Sequence, residues 1–194
     1  MKQVLSSQRR DHQQVRQRVF TWLERVVIGL GLCPFAQAPL RHSQLRVIVS
    51  DATDSEQLLQ ALESELQLLA GSVSDTDGYV ETTLLVTPRA FADFLEFNDF
   101  LATANQWLGL NGWEGEFQLA SFHPQYQFAG THPDDLENFT NVAPYPIIHL
   151  LREDSITQAV VNYPGIEEIP TRNIKRMRGL SAIEKNRLFG FLND

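Results

Sequence analysis

The chain has 194 residues, 43% hydrophobic and 21% charged, which is enough to bury a sizeable core and unlike a disordered polymer. A formal net charge of −8 argues against a nucleic-acid binder, and a single cysteine, Cys33, rules out an internal disulfide framework. No signal-peptide core opens the chain, and its longest nearly apolar run, Val26 to Ala36, is too short and glycine-rich to span a bilayer, so a cytoplasmic setting without membrane contact is expected.

Charge is unevenly distributed. Between Val47 and Thr171 there are 20 acidic residues against only Arg89 and Arg152, whereas the two ends together hold 14 basic and 4 acidic residues. The plain expectation is that basic terminal helices pack against an acidic middle.

In chain order, Val15, Val19, Trp22, Leu23, Val26, Val27 and Leu30 recur at helical spacing, and Gly29, Gly31 and Pro34 close that helix with Cys33 just beyond it. Leu45 to Ser50 reads as a buried strand. Thr53 and Glu56 have capping-box spacing ahead of a helix with Leu58, Leu62, Leu66 and Leu69 on one stripe. Val80 to Val86 is a second strand, and Thr87-Pro88 predicts the start of a third helix that runs to Gly109. Glu116 to Phe122 and Pro146 to Leu151 are the third and fourth strands. A short helix through Ile156, Ala159, Val160 and Tyr163 follows, then helices starting near Thr171 and at the Ser181/Glu184 capping box.

One domain over residues 1–194 is the economical division. The order predicts an α/β (α+β) fold: a mixed four-stranded main sheet with helices packed on it, in two or three layers. Helical crossovers favour parallel neighbours, and the unhelical passage between the last two strands allows an antiparallel pair. A ferredoxin-like sandwich with added helices is the alternative.

Residues 122–145, "FHPQYQFAGTHPDDLENFTNVAPY", are too long and too aromatic for an idle connection, and read as a structured loop lining a cleft. His123 at its mouth is the candidate general acid/base, since an imidazole titrates near neutrality. Cys33 is a candidate nucleophile or ligand, although the negative end of its helix disfavours a thiolate. Arg152 at the end of the fourth strand is placed to hold an anion, with a salt bridge to Asp134, Asp135 or Glu153 as its structural alternative. Tyr126 and Tyr145 are candidate pocket walls, and His149, in mid-strand, is either a core residue or a binding group. No CxxC or HExxH pattern supports a metal, and no cofactor is indicated. The basic tail from Arg172 to Arg187 reads as a solvated face, a lid on the acidic middle or a partner surface.

Four stretches, "LGLCPFA", "FHPQYQFAG", "NVAPYPIIHLLREDS" and "IPTRNIKRMRGL", together resemble a bacterial family, the domain of unknown function 1415. The resemblance spans nearly the whole chain and implies a small stand-alone protein with its signature on Cys33-Pro34-Phe35, His123-Pro124 and Pro144 through Arg152. It implies no activity. The functional expectation is an enzyme acting on a small anionic metabolite, in a cleft formed by the 122–145 loop, the Cys33 loop and the end of the fourth strand. The alternatives are a non-catalytic binding or regulatory module, self-associating or not, and a Cys/His metal site.

Overall fold

The computed structural model describes residues 2–74 and 76–193. Its centre is a four-stranded mixed sheet of β1 (Leu45–Val49), β2 (Thr82–Val86), β3 (Phe117–Phe122) and β4 (Ile147–Arg152), in spatial order β1-β2-β4-β3. β1 and β2 are parallel, as the helix between them requires, and β4 is antiparallel to both neighbours. The crossover from β2 to β3 leaves a gap one strand wide, and β4 fills it by returning from the 122–145 loop.

Helices cover both faces. On one, α3 (Ser55–Gly71) and α4 (Phe94–Leu110) bury Leu58, Leu62, Leu66, Phe97 and Ala104 against Leu85, Ile148 and Leu150. On the other, α1 (Lys2–Trp22) and a π-helical turn (Leu23–Ile28) bury Val19, Trp22, Val26 and Val27 against Val47, Val86 and Ile147. Met177 of α6 (Ile169–Arg178) and Phe189 of α7 (Ala182–Phe189) complete that second core. The layering is therefore helix, sheet, helix, and the parallel β1–β2 neighbours set the sheet apart from the antiparallel sheet of a ferredoxin-like sandwich. Of two short elements, α2 (Gln37–Arg41) packs Leu40 on the edge of the second core, and α5 (Glu153–Asn162) contributes to neither.

Two predicted helix starts move. The cap of α3 is Asp54, whose carboxylate accepts from the Gln57 amide at 2.9 Å, while the Thr53 amide is taken by the Gln57 side chain. Thr87 caps nothing: its amide donates to Pro146 O and its hydroxyl to Ala90 O, and α4 waits for Asp93, which accepts from the Leu95 and Glu96 amides. The intervening turn bends through Phe91 at φ +58°, a left-handed conformation that costs a non-glycine residue ~1 kcal/mol or more. The Ser181/Glu184 capping box forms as its spacing predicts.

Candidate functional site

His123 ends β3 and is fully buried. Its Nδ1 accepts from the Gln125 amide at 3.0 Å, so the proton sits on Nε2, which donates to Phe91 O at 2.9 Å. Phe97 stacks on the ring with centroids 5.3 Å apart, and Phe94 closes from 5.5 Å. Burial lowers its pKa, against the Phe91 carbonyl and Asp93, which raise it. Both nitrogens are thus spent on backbone, and the one that holds Phe91 O also holds the strained turn. His123 is a clamp between β3 and the turn before α4, sealed from any cleft.

Tyr126 packs on Phe94 and Phe128 at 5.1 and 4.9 Å, and its hydroxyl bonds Ser121 and Asn141. Burial raises its pKa against those two bonds. The loop beyond is organised by Asn138, buried in a 3-10 turn (Leu136–Thr140), whose amide group bonds Phe128 N, the Thr131 hydroxyl and His132 O. Tyr145 is half-buried against the core beneath α1. The 122–145 segment is therefore structured, by a buried asparagine as well as by its aromatics.

His149 lies on the opposite face of the sheet from the α4-packed His123, beside Phe122 and against Thr82. The Thr82 hydroxyl donates to Leu150 O at 2.6 Å, so it accepts from His149 Nε2–H at 2.8 Å. Burial pushes the His149 pKa down to about 4. Cys33 sits half-buried against the same core, its sulfur facing the Phe35 and Ala36 amides. Burial raises its pKa and outweighs those two bonds, which keeps it a thiol.

Arg152 departs most from expectation. Its Nη2 donates to Leu69 O, Ser72 O and Val80 O at 2.6, 3.3 and 3.0 Å, and its guanidinium lies over the rings of Tyr79 and Phe117. It closes the carbonyl end of α3, and none of the predicted acidic partners is used. Because β3 and β4 are antiparallel with Phe122 opposite Ile147 and Phe117 opposite Arg152, His123 and Arg152 lie at opposite ends of the sheet, roughly 20 Å apart along the strand. The expected single cleft uniting His123, Cys33, His149 and Arg152 is not formed. Among the described residues no group of three or more His, Cys, Asp or Glu side chains could hold a metal ion.

A different place gathers positive charge. A groove of about 330 Å³ runs between α1 and α7. One wall is the α1 face carrying Gln17, Arg18, Thr21 and, from the π-turn, Arg25; the other carries Arg187. Its floor is apolar, from Trp22, Pro144, Leu188 and Phe191. Trp22 is held rigidly, its indole N–H on Val142 O at 2.9 Å and its ring edge-on to Phe122 at 5.1 Å. Phe189 anchors α7 by an edge contact with Phe139, and Lys185 sits 3.9 Å over that ring. No acidic residue lines the groove among those described, and Arg25 and Arg187 form no salt bridge there. Glu184, one turn before Arg187, is held by the Ser181 hydroxyl and amide.

Sequence reasoning noticed the basic ends but had no signal that Arg25 and Arg187, 162 positions apart, would face one groove. Compared with known proteins, residues 14–187 match the family described as protein of unknown function (DUF1415), and the chain belongs to that family. No match was found among curated proteins or among solved structures.

Proposed function

We propose that this DUF1415 protein binds a small anionic ligand in the groove between α1 and α7. The observation that carries the reading is that, among the described residues, Arg25 and Arg187 line one groove without a salt bridge or an acidic residue in its lining, in a chain of net charge −8. An acidic protein has carboxylates in plenty to neutralise arginines. Guanidinium groups that form no salt bridge retain donors for a carboxylate or phosphate, which they hold through charge-assisted hydrogen bonds. The groove volume lies at the small end of the range for ligand sites. The reading is one of binding, because His123, the group first expected to exchange protons, spends both ring nitrogens on backbone.

Titration calorimetry with inorganic phosphate, sulfate and short dicarboxylates tests it. Arg25→Ala and Arg187→Ala are each expected to weaken binding about tenfold, the loss of one charge-assisted bond. Unchanged affinity in both variants, or no binding of any anion to the parent protein, would remove the groove from consideration.

A further inference from the structure

Resting on that reading, we infer that the ligand is a phosphate monoester bearing a flat apolar body. The walls and the floor of the groove ask for different things. Arg25 from the π-turn and Arg187 from α7 line the same groove, so an anion there meets guanidinium groups from two elements. Two cations lining one groove repel each other, and a dianion relieves that repulsion more fully than a single carboxylate does. A phosphate monoester carries between one and a half and two negative charges at neutral pH and several acceptor oxygens. The floor offers an indole, a proline ring, an aliphatic chain and a phenyl ring, which favour a flat hydrocarbon or aromatic surface. The volume corresponds to about eleven waters at ~30 Å³ each, more than inorganic phosphate fills.

Gly190 supplies the means to separate the two parts. It lines the groove at the end of α7 with φ −59°, which any residue adopts, and a Cβ built there meets no atom within 4 Å. A Cβ at this position therefore meets open space and leaves the backbone undisturbed.

The experiment compares phenyl phosphate, inorganic phosphate and benzoate by calorimetry on the parent protein, Gly190→Leu, Gly190→Ala and Arg187→Ala, each checked for folding by circular dichroism. Phenyl phosphate is expected to bind about tenfold tighter than either of the other two. Gly190→Leu should remove most of that advantage, with Gly190→Ala in between, and leave inorganic phosphate within about twofold. Arg187→Ala should weaken both phosphates. Equal affinity for phenyl and inorganic phosphate overturns the apolar body, and equal affinity for benzoate overturns the phosphate; either leaves the anion groove standing. Silence from all three anions overturns the groove itself.

Discussion

His149 carries its imidazole in mid-strand, with Nε2 fixed by Thr82 and a pKa pushed down to about 4 from its ordinary 6.5. The unfolded chain therefore takes up a proton that the folded one refuses. Its contribution to stability is complete above pH 6.5 and is lost as the pH falls towards 4, at up to ~1.4 kcal/mol per pH unit. His123 is shifted in the same direction and adds to the same acid limb. Urea titrations at neutral pH and at successively lower pH should show this fall, and His149→Gln should flatten it; an identical slope in the variant would assign the acid limb to other groups. The sequence offered a hydrophobic neighbourhood for His149, and that much was legible. It also placed His123 beside a proline at a strand end, where a catalytic residue and a buried clamp look alike. Distinguishing them needs the position of Phe91 O, 32 residues away in the chain.

At the level of elements, periodicity located all four strands to within a few residues and the apolar stripes of the main helices, because burial on a sheet face or helix stripe is written in the local pattern. Helix starts were less legible wherever two capping residues compete, as Thr53 does with Asp54. The donor that closes α3 was not legible, since Arg152 comes from β4. That arginine bridges Leu69 and Ser72 to Val80 and so holds both margins of the loop between α3 and β2. Arg152→Ala is expected to cost about 3 kcal/mol, because it strands buried carbonyls and removes the cation from between Tyr79 and Phe117. Chemical denaturation measures it, and a loss below about 0.5 kcal/mol, the range of ordinary surface substitutions, would show the site to be replaceable.

Across the whole molecule the sheet separates charge. The α1 helix with its π-turn, α6 and α7 together carry 12 basic and 3 acidic residues, whereas α3 and α4 carry 5 acidic residues and none basic. The uneven charge was visible in the sequence. The simple picture of basic ends lying on an acidic middle needs revision, because those helices and the acidic pair lie on opposite faces of the sheet. The outcome is an acidic protein with one basic side, and the groove opens on that side. Such a field draws small anions towards the arginines and is screened by salt. Stopped-flow tryptophan fluorescence should show the association rate of phenyl phosphate falling about threefold or more between ~20 and ~200 mM salt, with dissociation changing less. A salt-independent association rate would mean that the basic face does not guide the ligand.

The π-turn at Leu23–Ile28 gives these arrangements a further meaning. Each residue added to or removed from a helix turns everything beyond it by about 100°. The wide turn takes up such a step between Trp22, the floor of the groove, and Arg25 on its wall, while Leu23, Val26 and Val27 all stay buried. Gly29 makes this feasible, for a Cβ there would collide with the Arg25 carbonyl. The bearing of one guanidinium is thereby uncoupled from the hydrophobic stripe that anchors the helix. Over evolutionary time a groove wall could be re-aimed by a single insertion or deletion, leaving the core on which the fold depends unaltered.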